Sequence, residues 1–227
     1  MLEISHLVVN GDSFTYCQGL GNPMEVGWPA LLAKKLNVPV VNLALRGSNN
    51  NSIVRRTYEY FYMDKNTKPF YIIGFSHATR EEDIIQSFLK LNHYTFELRK
   101  LIYWLNCVNL FKSNNIPYVV SDFLPSWHNI REGSLEKYTD LHNQVYNDPN
   151  KLKNFNEITR EYPRVSKKDA HDGYEAQYVL ADYCYAEIIK RYGDIKPINL
   201  PYTTLKEYHK FYNDENPYED HNWIENV

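Results

Sequence analysis

Ile4 to Ser13 reads ISHLVVNGDS: a short apolar run, then Asn-Gly, then an acid and a hydroxyl. An apolar run of this length closed by a turn-forming pair predicts a buried β-strand entering a tight turn. The pattern recurs downstream. Pro39 to Leu45 (PVVNLAL), Phe70 to Phe75 (FYIIGF) and Ile116 to Ser121 (IPYVVS) predict three more strands. Segments of helical period lie between them. Trp28, Leu31, Leu32 and Leu36 share a face, with Pro29 in the first turn. Ser52 to Met63 carries Ile53, Thr57 and Phe61 along one side, and Asn92 to Asn114 carries Leu98, Leu101, Ile102, Leu105 and Val108. In Gly173 to Arg191 the inward set is Tyr178, Ala181, Tyr185 and Ile188. Apolar strands alternating with amphipathic helices predict an α/β fold, a mostly parallel sheet covered on both faces in three layers.

In such sheets ligands bind beyond the carboxyl ends of the strands. The first strand delivers Gly11-Asp12-Ser13 there, the second Arg46-Gly47-Ser48-Asn49-Asn50, and the third Gly74-Phe75-Ser76-His77. Asp169-Ala170-His171-Asp172-Gly173 precedes the last helix. Acyl transfer needs a hydroxyl nucleophile, an imidazole to take its proton, a carboxylate to orient the imidazole, and donors for the developing oxyanion. All four kinds of group stand at these sheet ends.

The constellation resembles the SGNH, or GDSL-type, hydrolase family over most of residues 4 to 191, and the resemblance implies a flavodoxin-like topology. Gly11-Asp12-Ser13 is similar to the family's first block, whose serine is the nucleophile. Gly47, after Asn42, is similar to the glycine whose N–H helps form the oxyanion hole. Asp169 and His171 resemble the last block, which implies His171 as base and Asp169 as its orienting acid. Two departures stand out. The third block is usually Gly-x-Asn-Asp, whereas here Gly74-Phe75-Ser76-His77 lacks that Asn; Ser76, Asn49 or Asn50 are the candidate replacements, with Asp12 beside them. The Asp also precedes His171 by two residues and not the usual three. Compact Asp-x-His variants occur among bacteriophage members, which also carry stretches similar to Trp28-Pro29-Ala30-Leu31-Leu32 and Arg46-Gly47-Ser48-Asn49. The resemblance implies a small acyl ester as substrate, including O-acetyl on a carbohydrate, and no cofactor. A binding protein on the same fold, its catalysis weakened with the missing Asn, is the alternative.

Composition narrows the field. The 227 residues suit one domain with a real core. We expect it over 1–200, with a loop-rich insertion at about 125–168 and an acidic tail over 201–227. Within the insertion a short helix is expected near Leu135 to Val145, and Trp127-His128 is a candidate groove lining. A hydrophobic fraction of 43% excludes disorder, and a net charge of -3 leaves no basic footprint for nucleic acid or an anionic membrane. Cys17, Cys107 and Cys184 form neither a CxxC pair nor a disulfide framework. With no signal-peptide pattern and no apolar stretch of about 20 residues, a cytoplasmic location is expected. The eight histidines show no HxH or HExxH pair, so no metal site is expected. A flavodoxin-like phosphate or nucleotide binder ranks last among the readings, because Phe14, Tyr16 and Cys17 are too bulky for a close cradle. Arg46 and Arg80 are candidates for contacting an acidic substrate group. The oligomeric state is left open.

Overall fold

The structure is a computed structural model that describes residues 1–64, 67–80, 93–122, 139–169 and 171–199. Trp127, His128, the expected helix start at Leu135 and the tail from Pro201 lie outside the described residues.

The first apolar run divides at Ser5. β1 (Leu2–Ile4) and β2 (His6–Asn10) enter different sheets. Ser5 is buried, its hydroxyl 2.9 Å from His6 Nδ1 and accepting the Lys68 N–H at 3.0 Å. The chain continues through α1 (Ser13–Tyr16), α2 (Pro23–Val26), α3 (Trp28–Leu36), β3 (Val40–Asn42), α4 (Asn50–Met63) and β4 (Pro69–Phe75). There follow α5 (His93–Ser113), β5 (Tyr118–Asp122), α6 (Thr139–Tyr146), α7 (Phe155–Thr159), α8 (Tyr174–Tyr192) and β6 (Ile195–Pro197). β6 pairs with β1 in parallel, Leu2 opposite Ile195.

The main sheet has the order β3-β2-β4-β5 and is parallel throughout. Beyond β5, Lys151 makes a single parallel bridge to Val120, through Val120 N–H to Asn150 O at 3.1 Å and Leu152 N–H to Val120 O at 2.8 Å. This bridge occupies the place of a fifth strand. Because β3 lies on one side of β2 and β4 on the other, the strand order reverses at β2. A crevice opens at such a reversal, and β2 feeds Asp12 and Ser13 into it.

Alternation along the strands builds the two outer layers. Leu7, Val9, Phe70, Ile72 and Val119 face one side and pack with Trp28, Leu32 and Leu36 of α3 and Leu180, Cys184 and Ile188 of α8. Val8, Tyr71, Ile73, Phe75 and Val120 face the other, against Ile53 and Tyr60 of α4 and Trp104, Cys107, Val108 and Phe111 of α5. Three residues expected inside are not: Ile102 is 43%, Tyr178 51% and Tyr185 37% exposed. The inward face of α8 is instead Ala176, Gln177, Leu180, Ala181, Cys184 and Ile188, since small residues let α8 approach closely while tyrosines keep their hydroxyls in water. The expected strand Pro39 to Leu45 shortens to three residues, because Asn42 turns its side chain back on the chain, Oδ1 accepting from Ala44 N–H at 3.0 Å. All three cysteines are free and buried, and burial pushes each thiol well above its ordinary range.

One ion pair lies inside the second layer, Lys100 Nζ at 2.6 Å from Asp122 Oδ1 at the end of β5. Both side chains are almost wholly removed from water, so deleting Lys100 leaves the Asp122 carboxylate buried without that cation. Lys100→Met is expected to destabilise the fold by about 3–5 kcal/mol, read from the urea midpoint. Lys100→Met with Asp122→Leu should recover most of that loss.

Candidate active site

Asp12 decides how the chain leaves β2. Its carboxylate caps α1 by accepting the Phe14 N–H at 3.0 Å, so the capping role falls to Asp12 and not to Ser13. Asp12 is fully buried, and Oδ2 also takes the Ser76 hydroxyl at 2.7 Å and Arg80 Nη1 at 3.1 Å. Burial pushes its carboxyl above the ordinary range, against the pull of Arg80, the Ser76 hydroxyl and the Phe14 N–H. Gly11 has no room for a side chain: a Cβ there would overlap the Thr15 hydroxyl and lie 3.0 Å from the Gly74 carbonyl oxygen. Ser13 follows at the first position of α1 and is only 2% exposed.

The loop after β3 docks on α1. Asn42 Nδ2 donates to Thr15 O at 3.3 Å, and the Arg46 guanidinium lies 4.9 Å from the Tyr16 ring centre. Gly47 turns the chain with φ +69°, a left-handed conformation that favours glycine. Asn49 caps α4 by accepting the Ser52 N–H at 2.8 Å. Asn50, fully buried, grips the backbone of Ser76 at both ends of its amide: Oδ1 accepts Ser76 N–H at 2.8 Å and Nδ2 donates to Ser76 O at 3.2 Å. The Ser76 hydroxyl is thereby aimed at Asp12.

His171 comes from the opposite side on a short hairpin. Val165 N–H bonds His171 O at 2.9 Å, and Arg164 and Asp172 form an antiparallel bridge reinforced by their ion pair. Asp169 is set by the turn at Ser166, whose hydroxyl and carbonyl accept its N–H at 3.1 Å and 3.2 Å. Asp169 Oδ1 then accepts the His171 N–H at 3.0 Å and meets His171 Nδ1 at 2.5 Å. Those two bonds hold the Asp169 carboxyl below its ordinary range. The His171 ring tilts against Phe14, centres 4.8 Å apart, which sets it beside the residue that follows Ser13. Its other nitrogen, Nε2, is buried and has no hydrogen-bond partner among the described residues. Asp172 is committed elsewhere, paired with Arg164.

The structure thus brings Asp12, Ser13, Ser76, Asp169 and His171 to one end of the sheet, with Asn50 gripping Ser76 from behind. Asn49 serves α4. Of the two arginines, Arg80 is bound to Asp12 and Arg46 lies over Tyr16. A cleft of about 860 Å³ at the far end, lined by Glu3, Tyr62, Asp64, Lys68 and Asn115, contains none of these residues. No helix among the described residues is long and apolar enough to cross a membrane.

No family model and no curated protein matches the chain. Solved structures do. A putative lipolytic protein of the G-D-S-L family from Desulfitobacterium hafniense aligns with TM-score 0.53 and 18% identity over 81% of this chain and 99% of its own. The psychrotrophic esterase EstA from Pseudoalteromonas sp. gives 0.55 and 17%, over 82% and 98%. An acetylxylan esterase from Geobacillus stearothermophilus gives 0.53 and 16%, over 83% and 95%. The chain has the fold of the SGNH hydrolases. Within that fold the loop carrying Gly11 to Ser13 follows β2, and Asp169 and His171 precede α8. Arg80, expected to contact an acidic substrate group, instead pairs with the buried carboxyl of Asp12 within the protein.

Gly19 has φ +89°, and a Cβ there would lie 3.0 Å from Asp169 Oδ2 and from both Val165 methyls. Gly19→Ala is expected to cost about 1–3 kcal/mol of stability and to displace Asp169, read together as a fall in Tm and weakened His171 function. The lowered Asp169 carboxyl has a definite pH consequence. A group whose folded value lies below its unfolded one adds stability above the unfolded value and loses it as pH falls through the folded value. Asp169→Asn should therefore lower stability at neutral pH and flatten the acid limb of the stability-against-pH curve, the variant and wild type converging in acid.

Proposed function

We propose that this protein is a serine esterase that hydrolyses a small acyl ester through Ser13, His171 and Asp169. The observation that carries the reading is the state of His171. One ring nitrogen is bonded to a carboxylate, the other is buried and unpartnered, and the ring is braced on the residue next to Ser13. That is the arrangement of a general base whose tautomer is fixed from behind. Unliganded sites often hold nucleophile and base apart until substrate closes them.

In the first step Ser13 Oγ attacks the ester carbonyl and its proton passes to His171 Nε2. The tetrahedral oxyanion rests on backbone N–H groups of Ser13 and Gly47. Collapse breaks the bond to the alcohol, which leaves with the proton from His171. In the second step water gives a proton to His171 and attacks the acyl-serine, and the acid is released as the acyl–oxygen bond breaks and His171 returns that proton to Ser13 Oγ. The third donor is the open question of the family resemblance. The single proton of the Ser76 hydroxyl goes to Asp12, whereas Asn50 retains one amide N–H beyond its bond to Ser76 O. Asn50 is therefore the better candidate. The acetylxylan esterase among the similar folds supports an O-acetyl substrate on a carbohydrate. The second reading, a binding protein on this fold, is favoured by Ser76 standing where the family has Asn.

A fluorophosphonate probe tests the two, and the esterase EstA, whose structure is of the enzyme inhibited by monoethylphosphonate, supports that choice of reagent. We expect stoichiometric labelling and p-nitrophenyl acetate turnover, both lost in Ser13→Ala. His171→Ala should lower kcat by roughly 10⁴–10⁶-fold, and Asp169→Asn by about 10⁴-fold. Absence of labelling in the folded wild-type protein would favour the binding protein.

A further inference from the structure

Nucleophile and base reach the site from opposite ends of the chain, on elements that share no strand pairing. Ser13 begins a four-residue helix, and His171 sits on a hairpin ahead of α8. Their relative position needs a physical link. In the first turn of α8, Gln177 is only 2% exposed, a polar side chain on the face where α8 packs against the sheet. Its Oε1 accepts the Trp28 N–H at 3.0 Å, at the start of α3, and the Cys17 Sγ–H at 3.3 Å, at the end of α1. Its Nε2 donates to Asp172 O at 3.1 Å, the residue after His171. One amide thus joins the helix of the nucleophile, the helix behind it and the hairpin of the base.

We infer that Gln177 is a positioning residue that sets the distance between Ser13 and His171. The inference rests on the esterase reading of the same site. The chemistry of the amide is specific to the task. A donor and an acceptor are needed about one carboxamide apart, both buried, with partners on two separate segments. An apolar side chain leaves the Trp28 N–H and the Asp172 carbonyl unpaired and the hairpin free to shift. A displacement of about 1 Å at a reacting pair costs about 100-fold in rate.

The test compares wild type, Gln177→Met and Gln177→Glu. Gln177→Met is expected to lower kcat for p-nitrophenyl acetate by about 100-fold while KM stays within about threefold. The downfield proton resonance of the His171 Nδ1–H in its bond to Asp169 should broaden or vanish in the same variant. Gln177→Glu gives the sharper result. A protonated carboxyl offers one acceptor and one donor, as the amide does, whereas the carboxylate offers acceptors only. Its rate relative to wild type should therefore rise at least about fivefold as pH falls from 8 to 6, burial keeping the new carboxyl protonated into that range. A purely structural role would lower activity only with the folded fraction and leave that ratio flat; a flat ratio, or an unchanged kcat and resonance in Gln177→Met, overturns the inference. Should Gln177→Met fail to fold, the pH ratio of Gln177→Glu decides. An unreactive Ser13 in wild type with a resonance that still responds to Gln177 refutes the esterase reading and keeps the link.

Discussion

A carboxylate taken wholly out of water costs several kcal/mol unless its oxygens are met by donors, and the end of β2 is organised around meeting that cost for Asp12. One donor is the Phe14 N–H, which fixes the start of α1 and with it the place of Ser13. The others, Ser76 and Arg80, come from beyond β4, so the charge also ties the ends of two neighbouring strands together. Asn50 in turn clamps the Ser76 backbone from the third loop. Three loops are thus set against each other by one buried charge, and the hydroxyl next to it inherits their rigidity.

The family resemblance presents the loss of the third-block Asn as a gap. The geometry gives the serine there another task. Ser76 supports the acid of the first block, and an arginine five residues into the following turn region shares the work. A shorter side chain at position 76 leaves the Asp12 carboxylate reachable by both. What the site loses in a neutral amide at that position it gains in a more strongly held first block.

Much of this architecture was legible in the sequence because it rests on local regularities. The apolar runs of β2, β4 and β5 and the Trp28, Leu31, Leu32 and Leu36 stripe each announce themselves by period. Ser13, Asp169 and His171 stand out in the sequence because their residue types and chain order match what acyl transfer requires. Two of the misreadings share a cause. Tyr178 and Tyr185 were counted as apolar, yet a phenol hydroxyl makes a half-exposed position cheaper for tyrosine than for leucine, and Ala176 and Cys184 fill the close-packed face instead. Ser5 split a strand because its hydroxyl serves His6 and Lys68, a pairing no local pattern reveals. The roles of Asn50, Arg80 and Gln177 depend on partners 26, 68 and 160 positions away. Period carries no information about such bonds.

The single bridge at Lys151 has a further consequence for how the molecule comes apart. β2, β4 and β5 share a continuous ladder, whereas the segment that leads to His171 meets the sheet through one bridge and otherwise through side chains, among them the Tyr118 hydroxyl with Asp148 and the Ser121 hydroxyl with Lys153 O. Partial opening follows the weakest cooperative unit. The half of the site that carries the imidazole can therefore detach while the half that carries the serine stays folded. Warming is therefore expected to loosen the surroundings of His171 before the ladder of β2, β4 and β5 opens.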